Sequence, residues 1–128
     1  MNLVLDSGGI SALAGQRARL AELRRRGVWP PQVPAVVITE SLTGDHRRDF
    51  HKNHLLGMCQ ILPVTEAIAR VGALLRTSTG RAAEISATDA IVVAFAIGFP
   101  SAVVFTSDPV DLMDLVDTQP VSVTISAV

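Results

Sequence analysis

The chain has one cysteine, Cys59, no tyrosine, one tryptophan, Trp29, and one lysine, Lys52. A lone cysteine excludes an internal disulfide, so the fold must rest on its own core, as is usual in a reducing compartment. With no tyrosine and Trp29 as the only tryptophan, an aromatic platform for stacking bases is not expected. No apolar run approaches the roughly 18 residues of a membrane-spanning helix. Charge arrives at Asp6, too early for a signal peptide, so the expected location is the cytoplasm. His46, His51 and His54 share one polar stretch with Asp45 and Asp49, but no cysteine or glutamate stands at a zinc-ligand spacing. They read as a solvated helix face. Gly8-Gly9 lacks the longer glycine pattern of a phosphate cradle.

What is present is a hydrophobic chain of 128 residues, 48% apolar, with mean hydropathy +0.39. That length suits one domain, residues 1–128, with about two-thirds of the unfolded surface buried. Apolar runs alternate with helical patterns. Strands are expected at Met1–Leu5, within Val28–Val33, at Gln60–Val64, Ala102–Thr106 and Val121–Ile125. Helices are expected at Ser7–Ala14, from Ala18 to a Gly27 C-cap, and at Ala35–Leu42. Others are expected at Asp45–Met58, after a Thr65 N-cap, at Ser86–Ile97 and after Pro109. Thr77–Glu84 reads as a loop. This order implies an α/β fold with a mainly parallel sheet.

The net charge of −1 hides an uneven distribution. Asp6, Glu40, Asp89 and Asp108 stand at the edges of, or inside, apolar stretches. Without these four the balance is 11 basic against 8 acidic residues (12 minus 4), or +3. Burying like-charged carboxylates costs several kcal/mol per ion unless a counter-charge is present. A divalent cation is the natural partner, because hard cations take oxygen ligands. Asp6 and Asp108 follow strands, and open parallel sheets bind ligands beyond the carboxyl ends of their strands. Asp89 begins a helix, where the dipole favours an anion. Simpler roles coexist with these. Asp108 before Pro109 is a good N-cap. Ser86 and Asp89 have capping-box spacing. Asp6 before Ser7-Gly8-Gly9 suits a turn or cap. Glu40 shares a helix face with Val36 and Val37, so a solvated role explains it least well.

The segments Leu3-Val4-Leu5-Asp6-Ser7, Val37-Ile38-Thr39-Glu40-Ser41, Ala87-Thr88-Asp89-Ala90-Ile91 and Phe105-Thr106-Ser107-Asp108-Pro109, in that order over nearly the whole chain, resemble PIN-domain ribonucleases. The closest likeness is to the VapC toxins of type II toxin–antitoxin pairs. The resemblance implies a five-stranded parallel sheet and a Mg²⁺- or Mn²⁺-dependent endoribonuclease. Asp6, Glu40, Asp89 and Asp108 would hold the metal, with Asp6 and Asp89 as main ligands and Glu40 serving a second ion or the attacking water. Thr106 or Ser107 would supply a hydroxyl, and Asp111 is either a further carboxylate or an exposed first-turn acid. It also implies a cognate VapB-like antitoxin and a homodimer. One departure stands out: many relatives carry Ser or Thr two positions after the first aspartate, where this chain has Gly8. Ser7 or Ser11 would then replace that hydroxyl, or it is absent.

RNA contact would fall to Arg24, Arg25, Arg26, Arg47, Arg48, Lys52 and Arg81, since the arginine fork grips phosphate in a bidentate manner. Such charge runs equally form plain solvated faces, and the arginine excess equally reflects codon bias. Two other functions fit the acids. A receiver-like signalling module also gathers acids beside its first strand, but it needs a late lysine, and Lys52 is mid-chain. A catalytically silent PIN scaffold is the other.

Overall fold

The computed structural model describes residues 1–128. Five strands form one all-parallel sheet: β1 (Asn2–Leu5), β2 (Gln32–Pro34), β3 (Gln60–Leu62), β4 (Ala102–Thr106) and β5 (Val123–Ala127), in the order β3-β2-β1-β4-β5. Seven helices connect and cover them: α1 (Ser7–Leu13), α2 (Arg17–Arg25), α3 (Val37–Ser41), α4 (Phe50–Leu56), α5 (Glu66–Ser78), α6 (Ala87–Ile97) and α7 (Pro109–Asp117). The all-parallel order follows from the alternation of apolar runs with helical patterns, since parallel neighbours need a crossover.

The core sits on the central strands. Leu3, Val4 and Leu5 of β1 are fully buried, and Val104 of β4 lies beside Val4 in register. A strand covered on both faces must be apolar at consecutive positions, which is why these runs show no alternation. Helix α6 is buried at Ala90 and from Val92 to Ala96, against α5, α7 and the sheet. Its near-uniform apolarity marks an interior helix.

The chain moves from β1 outward through β2 to β3, then returns to the other side of β1 with β4. The direction of winding reverses between β1 and β4. That is the switch point at which the connections diverge and leave a crevice beyond the strand ends.

Several boundaries differ from expectation. The helix expected from Asp45 starts at Phe50, because the Asp45 carboxylate accepts from the Arg47 and Arg48 amides and holds a turn. Helix α5 continues through Ser78, where a loop was expected from Thr77, with the Ser78 hydroxyl donating back to the Leu74 carbonyl. The closing strand lies two residues later than expected, and β2 covers only Gln32–Pro34.

The expected Thr65 cap is present: its hydroxyl oxygen accepts from the Ile68 amide at 3.2 Å. Thr65→Ala should therefore lower stability by about 1 kcal/mol, read as a small drop in the thermal midpoint with the native circular dichroism spectrum unchanged.

Candidate metal centre at the sheet switch point

The acids arrive at the crevice from separate elements. Asp6 follows β1 and caps α1, its Oδ1 accepting from the Gly9 amide at 2.8 Å. Asp108 follows β4 and opens α7, with Pro109 in the first turn. Asp89 lies in the first turn of α6, and Glu40 on α3. The strands on either side of the switch point thus supply Asp6 and Asp108, while two helix starts bring in Asp89 and Asp111.

Ligand oxygens of Asp89, Asp108 and Asp111 lie within 4.8 Å of one another. Asp6 is buried at 6% exposure, whereas Asp108 is exposed. Glu40 is exposed at the rim, where its Oε2 is 3.5 Å from the Ser7 hydroxyl, and it lines a cleft of ≈ 460 Å³ with Ser7, Gly8, Ser11 and Ser107.

The capping roles read from sequence account for only part of this. Asp108 stands at the N-cap position, yet its carboxylate makes no capping hydrogen bond. Instead its amide donates to the Thr106 hydroxyl at 2.9 Å. At α6 it is Ser86 that caps, accepting from the Asp89 amide at 3.1 Å, so the Asp89 carboxylate is not needed to start the helix.

Electrostatics register the crowding. Burial pushes the Asp89 carboxyl up to about 6, the Ser86 hydroxyl opposes the shift, and the charges of Asp108, Asp6 and Glu40 add to it. Burial also raises the Asp6 carboxyl, against the pull of the Thr106 hydroxyl and the Gly9 and Gly8 amides, with the Asp108 charge pushing further upward. Carboxyls raised by burial and by their own kind are a site short of positive charge. The donor set is entirely carboxylate oxygen, with no histidine or cysteine among the clustered residues. It fits a hard divalent cation such as Mg²⁺ or Mn²⁺ and does not resemble a zinc site.

The departure at Gly8 has a steric cause. A Cβ there would lie 2.1 Å from the Ser107 Oγ and 2.6 Å from the Ser107 amide nitrogen. The turn between β4 and α7 presses onto α1, and Ser107 fills the space that a side chain at position 8 would need. The Ser7 hydroxyl faces Glu40, and Ser11 lines the same cleft. Thr106 is fully buried between Asp6 and Asp108, whereas Ser107 is exposed.

The basic residues divide. Arg47 and Arg48 are exposed. Arg25 and Arg26 pair with Glu22, and Arg24 lies over the Trp29 ring at 4.7 Å. Lys52 donates to the Ser41 carbonyl at 3.0 Å, tying α4 to the end of α3. Arg81, read from sequence as an RNA contact, has its guanidinium on Glu84, Asp111 and Asp114. The links to Asp111 and Asp114 were missed because those partners are some thirty residues away. Asp49 was also missed: buried, it accepts from the Thr43 amide and hydroxyl and from the Gly44 amide, which fixes the turn after α3.

No protein-family profile matches the chain, and no curated protein matches it in sequence. Solved structures do. A chain of the DNA-bound VapBC complex from Salmonella typhimurium superposes with TM-score 0.74 at 11% identity, over 99% of this chain and 98% of that one. The promoter-DNA-bound VapBC2 complex from Rickettsia felis gives 0.71 at 15% identity, over 100% and 99%. The FitAcB structure from Neisseria gonorrhoeae gives 0.65 at 22%, over 95% and 96%. From end to end, the chain has the PIN-like α/β fold shared with these VapBC and FitAB chains.

Proposed function

We propose that this protein is a metal-dependent endoribonuclease acting as the toxin of a toxin–antitoxin pair in the cytoplasm. One observation carries the reading: carboxylates at the starts of α6 and α7, Asp89, Asp108 and Asp111, cluster at the switch point of a PIN-like sheet, with the charges of Asp6 and Glu40 acting on Asp89. A divalent ion bound by Asp89 and Asp108, with Asp6 and Glu40 beside it, would supply Lewis acidity and a water of lowered pKa.

The chain's own groups do the rest. The Thr106 hydroxyl acts on the Asp6 carboxylate and accepts from the Asp108 amide, tying the backbone that carries Asp108 to Asp6. Glu40, exposed at the rim with the Ser7 hydroxyl donating to its Oε2, would orient an attacking water. Arg47 and Arg48 are exposed and available to the phosphate backbone of RNA. The receiver-like alternative has no support at the crevice, because Lys52 is engaged by Ser41.

The structural relatives include VapBC and FitAB assemblies and a toxin–antitoxin complex from Klebsiella pneumoniae. By analogy, this chain pairs with an antitoxin protein; a homodimer follows only from the resemblance noted in the sequence. Leu20 of α2 lines a cleft of ≈ 180 Å³ with Phe50, His51, His54 and Leu55 of α4. Phe50 is 62% exposed there, and this cleft is the proposed antitoxin seat.

The test is cleavage of single-stranded and structured RNA with Mg²⁺ or Mn²⁺. Activity should vanish with EDTA and return with added metal. It should be lost in Asp6→Asn and Asp108→Asn, and be blocked by the product of the adjacent gene. Undiminished cleavage and toxicity in both variants would remove the nuclease assignment. Sequencing RNA ends after induced expression would identify the target.

A further inference from the structure

The crevice carries Asp6, Glu40, Asp89, Asp108 and Asp111, and Arg81 is the only basic side chain ion-paired with any of them. Its Nη2 donates to the Asp111 Oδ1 at 2.9 Å, its Nη1 to Asp114, and its Nε to the Glu84 Oε2 at 2.9 Å. Asp111 is at the same time one of the three carboxylates whose ligand oxygens lie within 4.8 Å of one another. A single carboxylate therefore faces a guanidinium on one side and the crevice on the other.

The arginine is held in place by its backbone. Gly80, at φ +71°, turns the chain out of α5. The Arg81 amide donates to the Thr79 hydroxyl, and the Arg81 carbonyl accepts from the Glu84 and Ile85 amides. Ile85 is fully buried, and its carbonyl accepts from Arg76. This braced turn leads directly into Ser86 and Asp89, while Asp111 and Asp114 belong to α7. Arg81 thus joins the start of α6 to the start of α7, the two elements that bring Asp89 and Asp108 together.

We propose that Arg81 is the resident counter-charge of the acidic crevice, holding the Asp111 carboxylate in the metal-free protein and competing for it with a bound divalent cation. The inference rests on the metal-dependent reading above. Both positive charges offset the same repulsion, so each makes the other less necessary. Such coupling is reciprocal: removing the arginine should strengthen cation binding by the factor by which the cation weakens the need for the arginine. Asp111 is then a partly neutralised carboxylate and contributes less to cation affinity than Asp108, which has no basic partner.

Mn²⁺ titration followed by electron paramagnetic resonance, together with thermal melts, tests this without any activity assay. The proteins are wild type, Arg81→Gln, Arg81→Lys, Asp111→Asn and Asp108→Asn. Arg70→Gln, in the exposed pair with Glu66, serves as a control for the same change in net charge. Arg81→Gln should bind Mn²⁺ about fivefold tighter than wild type or Arg70→Gln, at the low end of coupling between sites. It should melt lower without metal, and the gap should close at saturating Mn²⁺. Arg81→Lys should stay near wild type, and Asp111→Asn should lose less affinity than Asp108→Asn. Unchanged or weaker binding in Arg81→Gln overturns the inference. If that variant does not fold, equal losses in Asp111→Asn and Asp108→Asn overturn it instead. Wild-type protein that takes up no Mn²⁺ removes the metal-dependent reading itself, a separate and recognisable failure.

Discussion

Asp89→Asn should lower metal-dependent RNA cleavage about a thousandfold and at the same time raise the melting temperature of the metal-free protein. Each tenfold in rate is about 1.4 kcal/mol, and a divalent ion acting on a phosphoryl oxygen supplies several. Weakening its hold removes most of that. The stability gain has a different origin. Burial and the charges of Asp108, Asp6 and Glu40 raise the Asp89 carboxyl from its ordinary 3.8 to about 6, so the fold prefers the neutral form. The stability associated with that preference is fully present below pH 3.8 and is lost as pH rises through about 6. At pH 7.5 the ionised side chain costs about 1 kcal/mol, discounted for its partial exposure, and asparagine avoids this cost. The α6 cap survives, because Ser86 accepts from the backbone amide of residue 89. Melts in EDTA should therefore separate variant from wild type at pH 7.5 and bring them together near pH 4. Saturating Mg²⁺ should reverse the order, since the wild type gains more from binding. A variant that is fully active, or less stable than wild type in EDTA at pH 7.5, contradicts the account.

The elements easiest to read from sequence were those that one physical cause determines. The apolar run at 102–106 becomes a strand covered on both faces, and the apolar stretch from Ala90 to Ile97 becomes an interior helix. Thr65 and Ser86 cap helices because nothing else competes for their hydroxyls. Boundaries were lost where local side-chain bonds decide them, as with the Asp45 turn that delays α4 and the Ser78 hydroxyl that accompanies the last turn of α5. Asp6, Asp89 and Asp108 could be picked out because a carboxylate beside an apolar run is costly. Their setting could not be read in the same way. The bridge from Arg81 to Asp111 and Asp114, and the pressure of Ser107 on Gly8, join residues far apart in sequence, and no local pattern encodes them. Arg81 looks like any loop arginine until α7 is in place beside it.

Gly9→Ala should destabilise the protein by about 2 kcal/mol, whereas the same change at Gly72 should stabilise it. Both glycines lie within helices and have negative φ, so alanine is locally favourable at each by up to about 1 kcal/mol. What differs is the space around them. At Gly72 a Cβ would rest 3.5 Å from the Ala90 backbone, an ordinary contact between α5 and α6. At Gly9 it would lie 2.5 Å from the Phe105 carbonyl oxygen and 3.2 Å from its carbon. That oxygen belongs to β4, is paired within the sheet and cannot rotate away, so α1 would have to move. Overpacking of this kind costs about 1–3 kcal/mol and sometimes more, which exceeds the helix gain. The thermal midpoint should fall by roughly 5–10 °C in Gly9→Ala and rise by a few degrees in Gly72→Ala. Cleavage should fall with the first alone, because the Gly9 amide that fixes the Asp6 carboxylate moves with the helix. A Gly9→Ala protein melting at or above wild type would show that α1 does not press on β4 at this point, and the close approach that seats Asp6 at the switch point would have to be abandoned.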